Sequence, residues 1–233
     1  MGLNAPFVKE SRFGDWFLQT SVWKNRVFDR ALNDLHRLMD FDNRSFSTIL
    51  DVGCGFGLSF EALSKKFNPD LILAIDADPD IQKRSGEAAL KCSCMVQLHA
   101  ANASHIDIDS GSIDLVFCHQ TFHHIVEQEA AMSEFFRVLK PGGLLLFAES
   151  TRRYIYTPQI KYLFRHAMHV QKTAEEYIDI IRKEGFDLPD SRISLPFLWW
   201  SRPDCGMLEF FGFPVPKKRE ETLVNAVAIK PLK

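Results

Sequence analysis

The sequence predicts an α/β fold built on a parallel sheet, and three observations carry that expectation. Apolar runs of strand length alternate with helical segments over 45–150, the order that parallel βαβ units require. The runs are near-continuously apolar, which implies burial on both faces of the sheet. The first run, Ile49-Leu50-Asp51-Val52, opens into Gly53-Cys54-Gly55-Phe56-Gly57. A backbone bare at every second position can turn tightly at the carboxyl end of a strand and pass close to a ligand.

Each element has its own warrant. Residues 13–40 read as helical, with Phe13, Trp16 and Phe17, then Val27, Ala31, Leu32, Leu35 and Leu38 recurring near helical spacing. Residues 41–47 are polar and turn-like, and 48–52 form the first strand. A helix over 59–67 places Leu63 and Phe67 one turn apart, and Asn68-Pro69-Asp70 stops it. The run 71–75 is a strand ending in Asp76. Pro79 opens a helix over 79–92, and 95–100 is the third strand. The fourth, 113–118, follows the turn-like Asp109-Ser110-Gly111. A helix over 128–139 is stopped by Lys140-Pro141-Gly142-Gly143, and 144–149 is the fifth strand.

After Ser150 the composition turns basic and aromatic, with Arg152, Arg153, Tyr154, Tyr156, Lys161, Tyr162 and His166 among the next residues. An amphipathic helix over 174–184 ends at Gly185, and strands are expected around 192–200 and 223–229. The chain reads as a single domain, 1–233. Within it, 1–44 forms a helical lid or a packing segment, 45–150 a ligand-binding core, 151–173 a cap or a solvated helix, and 174–233 a closing helix and strands.

Composition excludes several classes. With 46% hydrophobic residues and 20 Phe, the chain can bury a large core. A net charge of −2 gives no basic footprint for nucleic acid. No apolar run approaches the ~18 residues that span a bilayer, and residues 1–10 carry no signal-peptide pattern. Cys54, Cys92, Cys94, Cys118 and Cys205 are odd in number and lack disulfide or zinc spacing, so they read as reduced thiols of a cytoplasmic protein. His166 and His169 stand three apart, but without Cys or carboxylate partners nearby no metal is expected.

The ligand's chemistry follows from two acids. Asp76, at the end of the second strand, is placed to accept hydrogen bonds from ribose hydroxyls. That alone fits any nucleotide. A dinucleotide loop reads G-x-G-x-x-G and holds a pyrophosphate. Here the spacing is G-x-G-x-G, with Asp51 beside it, which would repel a pyrophosphate and suit an ammonium or sulfonium group.

These residues resemble the class I S-adenosylmethionine-dependent methyltransferases, particularly the small-molecule "type 11" group. Asp51 to Gly57 is similar to that family's first motif, and Ala74 to Pro79 to its ribose-binding strand end. Ser112-Ile113-Asp114-Leu115-Val116 and Arg137 to Gly143 resemble its fourth strand and the turn before its fifth. Thr173 to Phe186 looks like its later helix. The resemblance implies a three-layer α/β/α Rossmann-like sandwich around a mostly parallel seven-stranded sheet, with the last strand antiparallel. It implies S-adenosyl-L-methionine as cofactor, held by Asp51, Gly53, Cys54, Gly55 and Gly57, by Asp76 and Ala77, by Asn102 and Ala103 at the adenine edge, and by His119 and Gln120. Asn102 departs from the family's Asp; its amide oxygen can still accept from the adenine amino group, without the charge.

Methyl transfer from a sulfonium needs positioning more than a triad. Cys118-His119-Gln120-Thr121-Phe122-His123-His124 ends the fourth strand, so His119 or His123 is the candidate base or orienter, with His124 as packing. The segment lacks the Asn/Asp-Pro-Pro-aromatic turn of amino-group methylating enzymes, and Phe117 precedes Cys118 where cytosine C5 enzymes have Pro. The expected activity is O-, N- or C-methylation of a small molecule. An RNA- or protein-directed enzyme, or an inactive cofactor-binding protein, is the alternative; no nucleic acid is expected as partner, and a homodimer stays open.

Overall fold

A computed structural model describes residues 10–39, 44–215 and 219–232. Residues 1–9 of the N-terminal segment, and Asp40 to Asn43 of the expected helix end and turn, lie outside them.

The N-terminal stretch is not one helix. Helix α1 (Arg12–Leu18) is capped by Ser11. Thr20 then caps a single turn, α2 (Ser21–Trp23). A π-helical turn, Lys24–Phe28, leads into α3 (Asp29–Leu38). The core alternates strand and helix as expected: β1 (Thr48–Val52), α4 (Leu58–Phe67), β2 (Leu71–Asp76), α5 (Ile81–Lys91), β3 (Met95–Ala100), β4 (Ile113–His119), α6 (Gln128–Val138) and β5 (Leu139–Ser150). Two short helices follow, α7 (Arg152–Ile155) and α8 (Pro158–Leu163), then α9 (Ala174–Lys183), β6 (Ile193–Ser194), α10 (Met207–Phe210) and β7 (Leu223–Ile229).

The strands form a seven-stranded sheet in the order β3-β2-β1-β4-β5-β7-β6. Strands β1 to β5 pair in parallel, and β7 runs antiparallel to both of its neighbours. Alternation along each strand splits the core in two. Ile49, Ile72, Leu115, Phe117 and Leu146 face one layer, with Phe28 and Leu35 of the N-terminal helices and Phe60 of α4. Leu50, Ile75, Val116 and Phe147 face the other, with Phe135 of α6 and Tyr177 of α9. Helices therefore cover both faces of the inner strands, the three-layer arrangement.

Three expectations needed correction. Burial on both faces fails at β3, where Met95 is 61% exposed, because an edge strand pairs with one neighbour, β2, and packs chiefly against α5. The run Lys140-Pro141-Gly142-Gly143 does not separate helix from strand. Leu139 already pairs with Ile113, and the register shifts between Ile113 and Leu115, so the extra residues are absorbed inside β5. The late strand over 192–200 shrinks to Ile193–Ser194, since Pro196 has no N–H to offer the sheet. Trp199 and Trp200 fall in a 3-10 turn instead, with Trp199 48% exposed.

Candidate cofactor and acceptor site

The glycine loop is built by the backbone of two strands. At the end of β1, Gly53 N–H donates to Ile75 O at 2.7 Å and Cys54 N–H to the same oxygen at 3.2 Å. The chain then doubles back through Gly53, Gly55 and Gly57, with φ of 73°, 53° and 72°, the left-handed region that a side chain disfavours. Gly55 N–H donates to Asp76 Oδ2 at 2.9 Å, which fastens the loop to the end of β2. Asp76 Oδ1 accepts from Asp78 N–H at 2.9 Å, so its carboxylate is held by backbone donors on both oxygens.

Three cavities lie in series at the carboxyl ends of the strands. The first is lined by Gly53, Gly55, Asp76, Ala77, Asn102, Ala103, Gln120 and His124, with Arg84 and Leu18. The second lies beneath the loop and is lined by Asp51, Cys54, Ser59, Trp23, Phe117, His119 and Gln120. The third opens between α3 and the β6–β7 side, lined by Arg30, Asp34, His119, Gln120, Leu198, Trp200 and Asn225. Gln120 is common to all three. It has φ of 52°, a strained position for a non-glycine residue. Gln120 N–H donates to Ala148 O at 2.9 Å, and its Oε1 accepts from Ser150 Oγ at 2.5 Å.

Asp51 is 2% exposed and accepts a hydrogen bond from Ser59 Oγ. Burial raises its pKa to about 7; the Ser59 bond offsets part of that and the charge of Asp76 adds to it. His119 is enclosed by Phe28, Phe117 and Trp23, and its Nε2 is buried with no partner. Burial pushes its pKa down to about 4, against the pull of Glu149. Cys54 and Cys118 are buried thiols, and burial pushes each well above the usual thiol range, which disfavours the thiolate.

The remaining predicted residues separate. Among the described residues, His123 lines none of the three cavities; it is 3% exposed and its Nδ1 lies 2.6 Å from Glu149 Oε2. It is His124, read from sequence as packing, that reaches the first cavity. Asn102 Oδ1 already accepts from Ser104 N–H at 3.1 Å, so this oxygen reaches an adenine amino group only through its second lone pair. His166 does not pair with His169; it stacks on His124, ring centres 4.9 Å apart. Tyr154 packs edge-on against Trp200 at 5.8 Å, and Arg153 pairs with Glu220 at 3.8 Å.

Sequence reading missed several residues. Arg84 joins Asp78 at 2.6 Å to Asp15 of α1 at 3.1 Å and lies over the Phe56 ring at 4.3 Å. Glu149, an acid after the apolar run 144–148 of β5, accepts from Thr121 N–H at 2.8 Å and Phe122 N–H at 2.7 Å. Burial nonetheless raises its pKa to about 7. Its position after five apolar residues was the available signal.

The cradle fits S-adenosylmethionine on a direct structural test. A Cβ on Gly55 would meet nothing within 4 Å and would enter the space the ligand needs. Val52, Ile75, Ala101 and Ala103 give the first cavity apolar walls of the kind a flat ring needs, Asp76 lines the same cavity, and Asp51 lines the second. The sheet order, the left-handed glycine loop and these two acids define a class I S-adenosylmethionine-dependent domain.

Comparison with known proteins agrees. Residues 50–147 match the family model described as "Methyltransferase domain", that of the type 11 methyltransferases. It is 28% identical over 142 residues to phosphoethanolamine N-methyltransferase 1 of Arabidopsis thaliana, covering 61% of this chain but 26% of that protein. It is 27% identical to the demethylmenaquinone methyltransferase of Staphylococcus carnosus over 75% of this chain and 70% of the relative. Among solved structures, the methyltransferase bound to the Haloferax volcanii Trm112 methyltransferase activator superposes with a TM-score of 0.68 at 16% identity, over 94% of this chain and 96% of that one. The chain thus spans about a quarter of the plant relative's length. No helix among the described residues is long and apolar enough to cross a membrane.

Proposed function

We propose that this chain transfers a methyl group from S-adenosylmethionine to a small molecule seated in the third cavity. The observation that carries the reading is the junction at His119 and Gln120, which line both the cavity holding Asp51 and the cavity beside α3. When bound, the cofactor supplies a methyl group activated by a positive sulfonium.

The residues contribute position and exclusion of water. Asp51 receives the ammonium end, Asp76 the ribose hydroxyls, and the bare face of Gly55 admits the ligand's approach. The His119 ring, with a pKa near 4, is neutral at physiological pH and accepts a hydrogen bond more readily than it keeps a proton. It therefore acts as an orienter of the acceptor's nucleophilic group. Trp200 Nε1 is buried without a partner among the described residues and also lines the third cavity, as does Arg30. A cavity that offers both an indole N–H and a guanidinium favours an acceptor bearing an oxygen, preferably an anionic one. Helix α1, through Leu18, and the 163–165 segment packed against Phe13 and Phe17 would close over the donor.

The test is formation of S-adenosylhomocysteine across a panel of small acids, amines and phenols. Turnover with at least one acceptor is expected. His119→Ala should lose at least 100-fold in kcat while calorimetry still detects cofactor binding. Wild-type rates in that variant would remove His119, and nicotinamide binding in place of S-adenosylmethionine would remove the whole reading.

A further inference from the structure

We infer that His123, His124 and His166 form a binding site for a divalent transition metal ion of the zinc type, on the wall of the cofactor cavity. One ring nitrogen from each lies within 4.8 Å of one from each of the others. The ring centres stand 4.2, 5.3 and 4.9 Å apart. A tetrahedral zinc with bonds of about 2.0–2.1 Å needs nitrogens roughly 3.3 Å apart, so modest ring rotations close the set.

Three further features favour a ligand set over a packing cluster. His123 Nδ1 is 2.6 Å from Glu149 Oε2, and Thr121 and Phe122 N–H groups fix the other oxygen of that carboxylate. A carboxylate behind a histidine sets the tautomer that leaves Nε2 free for a metal and fixes the ring's orientation. His166 Nδ1 is buried and has no partner. The third histidine is also held in place: Gln171 Nε2 donates to His123 O at 2.8 Å and to Ala167 O at 2.9 Å, pinning the residue after His166 to the turn that carries the other two.

His124 lines the first cavity as well, so the metal would sit beside the donor site. Three protein nitrogens leave a fourth position for water or an acceptor oxygen, the pattern of catalytic rather than structural zinc. The inference does not depend on methyl transfer; metal binding is read on the protein alone.

The experiment is titration of the metal-free protein with zinc, followed by equilibrium dialysis, and with cobalt(II), followed by its visible ligand-field bands. About one ion per chain and nitrogen-type cobalt bands are expected. His124→Ala and His166→Ala should each weaken binding at least tenfold, while Cys92→Ser/Cys94→Ser leaves it unchanged; these thiols, 3.6 Å apart, are the competing site. Circular dichroism checks that both histidine variants fold. If either does not, the wild-type cobalt spectrum decides, since thiolate charge-transfer bands would place the ion on cysteine. No stoichiometric binding, or binding that survives both histidine variants, overturns the inference.

Discussion

Asp51 carries its carboxyl at the end of β1, away from water, and titrates near neutrality. A folded pKa of about 7 against 3.8 for the free side chain means that the folded chain holds this proton more tightly than the unfolded one. Its contribution to stability is therefore full below about pH 4 and is lost as the pH rises through 7, by up to about 4 kcal/mol. A cationic ligand reverses the preference and favours the carboxylate. Below pH 7 cofactor binding should release a proton, and affinity should fall by up to about tenfold per pH unit. Calorimetry at pH 6 in buffers of different ionisation enthalpy measures that proton directly; identical heats would show that Asp51 does not face the cation. The two loop glycines make a second contrast. At Gly55 an added Cβ has room but protrudes into the cavity, so Gly55→Ala should abolish binding at a stability cost of about 1–2 kcal/mol. At Gly53 the same atom would lie 2.1 Å from Thr121 Oγ1, so Gly53→Ala should lower the melting temperature more than Gly55→Ala does. Asp51, Asp76 and these glycines were legible because each sits beside the strand end that uses it. The histidine cluster was not, because His166 lies 42 residues from His124 and only tertiary packing brings the rings together.

At the scale of elements, α1 is tied to the core by an ion pair and to the 163–165 segment by aromatic contacts. Arg84 bridges Asp15 of α1 to Asp78 in the turn before α5, and its partly exposed position limits what the bridge contributes. Arg84→Ala should weaken cofactor binding by roughly three- to tenfold and speed protease cleavage between α1 and α2. Unchanged cleavage would mean that the aromatic contacts to Phe164 hold α1 unaided. The strands were readable where neighbours bury both faces, as in β1, β4 and β5. The edge position of β3 was legible in its alternation, with Gln97 and His99 exposed between the partly buried Val96 and Leu98, although the run was read as a buried strand. The break in the N-terminal helix at Thr20 was hidden. Apolar spacing continues across it, while the change to capped and π-helical turns is local.

For the whole molecule, the donor site lies across β1, β2 and β4 and leans on α1, so ligand binding should stabilise the fold as a unit. At about 100 times the dissociation constant, S-adenosylmethionine should add about 2.7 kcal/mol and raise the melting temperature by roughly 5–10 °C. Fluorimetry that shows no shift with it or with S-adenosylhomocysteine would count against the cofactor assignment.

The walls of the third cavity come from α3, the loop after β6 and β7, while the donor cradle comes from β1, β2 and β4. Among the described residues, only His119 and Gln120 line both the second and third cavities. Under the proposed function, acceptor preference would be set through Arg30, Ala31, Leu198 and Trp200, apart from the residues proposed to seat the methyl donor. A library that varies those four positions and freezes His119 and Gln120 explores new substrates on a constant engine.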